Sequence, residues 1–302
     1  NCRNLNIFIE GNFKPEIAYT LSYKGLFDCW GNNGKGSEEF SFIDASGPRW
    51  HELIVTEIMF DPTGELELPE EEYIEIYNRS DKAISTRGLT ISDGSRTGDI
   101  GEMILESGEF AVIVDNNIEN FEKYGKVISV SNMPSLNNSG DQIEIRDSLG
   151  QTIFAIEYED DWYDDEFSAS GSYSIEMLDF NNPCGLNENW TASKDSKGGT
   201  PGQENSVFDV IPDNNDPSIL YSYIDSNERV HVIFNEYLKP IELIKEDYYI
   251  EEWNESASTI EHIDPFFNEM ILGFQSTFED NTSYSLELSL DIEDCAGNTI
   301  RA

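Results

Sequence analysis

The chain has 302 residues, with 18 Lys and Arg against 60 Asp and Glu, a formal charge of −42 at neutral pH. Nucleic acids and anionic membrane surfaces are held through clustered Lys and Arg, so this balance excludes both as partners. Disorder is excluded too, because 17 Phe, 14 Tyr and 5 Trp are spread along the chain, and the length predicts two or three domains.

From its start at Asn1-Cys2 the chain shows no charged, apolar and small-residue leader pattern, and it reads as a mature or trimmed piece of something longer. A strand pattern over 6–13 and another over 19–23 suggest a hairpin, followed by a Gly- and Ser-rich loop, Gly31 to Ser37, and a strand from Glu39 to Ile43. Further strands are predicted over 53–59, 73–77, 89–92 and 110–115, then a short helix from Ile118 to Tyr124. Strands over 142–146 and 152–158 flank an Asp147-Ser148-Leu149-Gly150 hairpin turn, and later strands fall at 229–234, 270–274 and 284–290. Short strands at this spacing predict an all-β fold of tandem sandwiches. No apolar run reaches the roughly 18 to 20 residues of a membrane helix, so insertion in a membrane is not expected.

The two ends echo each other. Phe13, Tyr19-Thr20-Leu21 and Asp28-Cys29-Trp30-Gly31-Asn32 correspond to Phe278, Tyr284-Ser285-Leu286 and Asp294-Cys295-Ala296-Gly297-Asn298. Either the chain carries two copies of one module around a different one, or two unrelated hairpins converge on the same turn. The first reading gives 1–47 as a truncated copy, 50–206 as the middle module, 207–215 as a linker and 216–302 as the complete copy.

The middle module resembles the lamin tail domain, an Ig-like β-sandwich. The carriers are Leu53 to Pro62, Glu72 to Ser80, Gly88 to Gly94, Ser139 to Ile143, Ser174 to Met177 and the closing Gly198-Gly199-Thr200-Pro201-Gly202-Gln203-Glu204-Asn205-Ser206. The closing run reads as a turn-rich exit; no Lys follows and no helix begins there, which argues against a phosphate loop. Within Glu72 to Asn78, Glu72, Glu75 and Asn78 interleave with apolar residues, as in a strand with one buried face. The final module resembles bacterial Ig-like domains through Val232-Ile233-Phe234-Asn235-Glu236 and Asp294 to Asn298. These resemblances imply tandem Ig-like β-sandwiches in a secreted, cell-surface or periplasmic protein of Bacteroidetes-type bacteria, with no active site of their own.

Little in the sequence suggests catalysis. Sixty acids make carboxylate pairs inevitable, Gly-x-Ser-x-Gly is absent, and His51, His231 and His262 sit in strand or loop contexts as structural residues. The acidic run Glu157 to Glu166 matches no calcium-loop spacing and reads as a solvated loop anchored by Trp162 and Tyr163. Ca2+ is the one cofactor suggested: Asp213 and Asp216, in a linker between two sandwiches, with Asp294 and Asn298 of the later turn as further ligands. The linker resembles the calcium linkers of cadherin-like repeats, and a plain turn-rich hinge is the competing reading.

Wide spacing of Cys2, Cys29, Cys184 and Cys295 argues against structural zinc. A hairpin centred near residue 15 would pair Cys2 with Cys29 and leave Cys184 for Cys295; four free thiols are the alternative. The functional expectation is a non-catalytic structural or adhesion unit whose partners are proteins or surface polysaccharide. The alternatives are an accessory region of a secreted nuclease or phosphoesterase, and a ligand platform at Trp162, Tyr163 and Trp190. The acids are expected on solvent-facing strand positions and turns.

Overall fold

The computed structural model describes residues 17–27, 30–41, 47–64, 66–163, 168–226, 228–240, 244–288 and 291–300. The chain is all-β, as its sequence predicts, with one short helix among the described residues.

β1 (Ala18–Phe27) and β2 (Asn33–Ser41) form an antiparallel pair from Ala18↔Ser41 to Phe27↔Asn33, with a bulge at Gly25, where φ is +76°. The loop expected over 31–37 is therefore mostly strand. At Gly36 the partner ring of Tyr23 occupies the space of a side chain, and a Cβ there would meet its hydroxyl oxygen at 2.5 Å. Glycine here seats an aromatic ring and does not break the strand. The expected strand at 6–13, its hairpin, Cys2 and Cys29 lie outside the described residues.

The chain continues through β3 (Leu53–Met59), β4 (Tyr73–Asn78), β5 (Ile84–Ser85), β6 (Thr90–Ser92), β7 (Thr97–Ile100), β8 (Ile104–Leu105), β9 (Phe110–Val114) and α1 (Ile118–Phe121). It completes this part with β10 (Val127–Ser131), β11 (Gly140–Arg146), β12 (Thr152–Glu159), β13 (Ile175–Met177) and β14 (Trp190–Ala192). Ten of these strands form one ladder, β12-β11-β6-β7-β10-β9-β4-β3-β13-β14, which folds over at β10 so that its halves face each other. The core between them includes Leu53, Ile74, Ile76 and Ile113 from one half and Ile91, Ile145, Phe154 and Ile156 from the other. A second cluster, Met59, Tyr73, Val112, Val114 and Phe121, lies where α1 packs against the back of β4 and β9. β3 is consequently buried along its whole length, as expected of a strand covered on both faces.

Beyond the linker, β15 (Ile219–Ile224), β16 (Arg229–Phe234), β17 (Tyr249–Ile250), β18 (Glu255–Ser256), β19 (Thr259–His262), β20 (Glu269–Gly273) and β21 (Leu286–Glu287) form two small sheets. Their orders are β15-β16-β20-β19 and β18-β17-β21. Between them lies a separate core that includes Val232, Phe234, Tyr248, Met270, Leu272 and Ile292. The two echoed turns are closed alike: Phe27 pairs with Asn33, and Glu293 with Thr299. In both cases the flanking pair spans the same Asp-Cys-x-Gly-Asn run, so the sequence echo extends to backbone register.

Candidate functional site: a carboxylate-rich joint and a buried glutamate row

The linker leaves the large sheet under restraint. Asp209 N–H donates to Leu178 O (3.1 Å) and Ile211 N–H to Asp179 Oδ2 (2.9 Å). Asp213 then meets the final part of the chain, where side-chain oxygens of Asp213, Glu236 and Asp294 lie within 4.8 Å of one another. Local hydrogen bonds fix this geometry. Asp294 Oδ1 accepts the N–H groups of Ala296, Gly297 and Asn298 at 2.7–2.8 Å, which folds the turn around its carboxylate. Asn298 Nδ2 donates to Asp294 Oδ2 (2.8 Å) and to the carbonyl of Asp213 (3.3 Å).

Burial pushes the Glu236 carboxyl up to about 7, and the charges of Asp294 and Asp213 add to it, with a smaller push from Asp216. A cleft of about 380 Å³ adjoins the group and is lined by Cys184, Gly185, Pro212, Asp213, Asn235 and Glu236. Of the four residues nominated from the sequence, Asp213 and Asp294 converge. Asn298 turns its amide N–H groups toward them and positions them, and Asp216 acts on Glu236 through its charge. Glu236 was missed as a ligand candidate, although it is the acid of the Phe-x-Glu run used to recognise the final module. Chemically, clustered carboxylate oxygens beside backbone carbonyls form an oxygen donor set of the kind hard divalent cations take.

Two further ties cross the same joint. Cys184 and Cys295 are joined by a disulfide, with Cα atoms 5.9 Å apart. Arg146 pairs with Asp264 and with Glu144 (2.5 Å), and Asp264 also accepts the Thr152 hydroxyl. The His231 ring forms another network: Glu269 contacts Nδ1 (2.6 Å), Asp225 contacts Nε2 (3.2 Å), and Tyr223 stacks on the ring at 4.5 Å. Burial opposes the imidazolium, but the bonds to Glu269 and Asp225 outweigh it and raise the pKa above its ordinary value.

The acids do not all lie on the surface, contrary to the sequence expectation. Glu75, Glu57 and Glu176 stand opposite one another across β4, β3 and β13, and all three are fully buried. The closing Gly-Gly-Thr-Pro-Gly run covers them as a strap whose polar groups point at the carboxylates. Thr200 N–H donates to Glu57 Oε1 (2.8 Å), Thr200 Oγ1 to Glu176 Oε1 (2.9 Å), and Gly202 N–H to Glu75 Oε2 (2.6 Å). Ser206 Oγ and Val207 N–H complete Glu176 at 2.8 and 3.2 Å. Tyr73 and Ser174 hydroxyls bond Glu57 Oε1 at 2.7 and 2.6 Å, while its Oε2 has no partner among the described residues. Burial raises the Glu57 pKa to about 8, with the charge of Glu176 second, and raises that of Glu75 well above the ordinary range.

The aromatic platform is overturned by burial: Trp162 and Trp190 are 8% and 2% exposed and pack on each other at 6.0 Å. Tyr163 donates its hydroxyl to Tyr173 O (2.7 Å), so these rings anchor the acidic loop, of which residues 164–166 lie outside the described residues.

The layering and the strand order define an all-β protein of Ig-like sandwich class. Residues 49–160 match the family model of the Lamin Tail Domain, an Ig-like domain. No curated protein and no solved structure matches the chain. β13 and β14 lie beyond the matched residues and extend the same sheet.

Proposed function

We propose that this chain is a non-catalytic adhesion or architectural unit of a bacterial exterior, in which a lamin-tail module over 50–206 and an Ig-like module over 216–302 are held at a fixed angle. The carrying observation is the triple tie at the joint: the Cys184–Cys295 disulfide, the Arg146–Asp264 pair and the Asp213–Glu236–Asp294 group. Ordinary tandem modules move relative to each other unless their interface is large. A joint locked at three points fits a part that transmits position to neighbouring modules or to a protein or polysaccharide partner.

Ca2+ is the cation proposed for the joint. Its support is the convergence of Asp213 and Asp294 with Glu236, whose pKa is raised first by burial and then by the neighbouring carboxylate charges that a cation would offset. The function is tested by small-angle scattering of the whole chain with and without CaCl2, alongside a panel of nuclease and phosphodiesterase substrates. A single rigid envelope that tightens with Ca2+, without turnover, is expected. Turnover lost in Glu236→Gln would replace this reading with a hydrolytic one.

A further inference from the structure

Three ligand-type side chains from distant parts of the sequence meet beside the joint. A ring nitrogen of His51 and the sulfurs of Cys184 and Cys295 all lie within 4.8 Å of one another. His51 is 3% exposed, and its Nδ1 is buried without a hydrogen-bond partner among the described residues. An orphaned buried nitrogen costs about 1–3 kcal/mol, and the surroundings prevent it from swinging away. The ring stacks on Trp50 at 3.6 Å and rests against Phe154 at 5.6 Å. Its backbone is pinned on both sides: His51 N–H donates to Ile153 O (2.8 Å), and His51 O accepts from Arg79 Nε (3.0 Å).

Burial, with the charge of Arg79 second, holds the imidazole well below its ordinary pKa, so the ring is neutral near pH 7. Neutral imidazole is the form that binds metal ions. With the disulfide open, the same three residues become two thiols beside a neutral imidazole. This is a Cys2His set, which holds Zn2+ in tetrahedral geometry with one position left for water or a carboxylate. Two thiolates would also neutralise the ion, which eases its placement near Arg79.

We propose that reduction of Cys184–Cys295 by a dithiol converts this corner into a Zn2+ site formed by His51, Cys184 and Cys295, so that the joint exchanges a disulfide tie for a metal tie. The dithiol supplies two electrons and two protons to the disulfide and is itself oxidised to a disulfide. Zn2+ then replaces the two thiol protons, which pass to solvent. The site adjoins the oxygen cluster at Asp213, Glu236 and Asp294 but shares no ligand with it, and the proposal stands whether or not Ca2+ binds there.

The test uses the full chain carrying Cys2→Ser and Cys29→Ser, so that only the two joint sulfurs respond. The protein is stripped with chelator, prepared oxidised or dithiol-reduced, and titrated with Zn2+ against a chromogenic chelator, with Co2+ as the spectroscopic probe. One equivalent of tight Zn2+ in the reduced form alone is expected, with thiolate-to-Co2+ charge-transfer bands. His51→Gln should weaken binding by at least about tenfold, and Cys184→Ser should abolish the bands. Near-ultraviolet circular dichroism reports whether the reduced chain keeps its packing. Reduced protein that stays folded but binds no more Zn2+ than the oxidised form overturns the proposal. So does affinity unchanged by His51→Gln, or packing lost on reduction that Zn2+ does not restore.

Discussion

Glu57 and Glu176 are paired across β3 and β13 and share one residue of the strap: Thr200 gives its N–H to Glu57 and its hydroxyl to Glu176. Carboxylates at that cross-strand spacing repel when both are ionised, and neither reaches water. The sheet therefore favours fewer charges than carboxyls in this row, and Glu57 keeps a proton near neutral pH.

Glu57→Gln tests that protonation. The folded-state pKa of about 8 lies above the unfolded value of 4.5, so the group's stabilising share is complete below about pH 4.5 and is lost as pH climbs through about 8. Gln keeps the acceptor and never ionises. Urea unfolding should find the variant close to wild type at pH 5 and more stable by about 1–3 kcal/mol at pH 9; a constant difference across that range would refute the protonated carboxyl.

Gly202→Ala tests the strap. Gly202 has φ +78°, and a Cβ there would run into the Tyr124 carbonyl oxygen. Backbone strain and collision together should cost about 2–4 kcal/mol, and hydrogen exchange should quicken at Thr200 and Val207 before it does at β4.

His231 supplies a second pH-sensitive element. Its pKa is raised, so its contribution is full below about pH 6.5 and disappears as pH rises through the folded value. Thermal unfolding of wild type and His231→Gln should differ most near pH 5 and converge in alkaline buffer. A gap that widens with pH would contradict the pairing with Glu269 and Asp225.

Cations should act at two levels. Screening of the −42 charge predicts a melting temperature that rises with NaCl. CaCl2 at matched ionic strength should raise it further, and calorimetric Ca2+ affinity should be greater at pH 8 than at pH 6, because Glu236 must lose a proton to bind. Glu236→Gln should remove the calcium increment and leave the NaCl response intact.

Much of this is legible in the sequence. Apolar runs at 53–59 and 229–234 gave strands with those same limits, because a run bounded by turn residues leaves little freedom in where pairing stops. The Asp-x-x-Gly-Asn run signalled a turn, and the turn brought Asp294 to Asp213. What failed did so for tertiary reasons. Alternation in Glu72 to Asn78 reads as one wet face, and only the later strap, contributed from more than a hundred residues away, shows that the face is dry. The strand through Gly36 was hidden for a related reason: a glycine that seats a partner's aromatic ring, as Gly36 seats Tyr23, has no signal in its own segment. The segment over 284–290 shortens to Leu286–Glu287, with 289–290 outside the described residues.

The Cys184–Cys295 bond spans 111 residues of sequence, and this gives the joint a mechanical role. A pull that enters upstream of Cys184 and leaves downstream of Cys295 crosses from one sulfur to the other. The linker, both small sheets and their core lie on the slack branch and bear none of the load. Cutting that bond puts the whole branch in series with the force, and the extension gained before rupture would grow by the length of the freed chain.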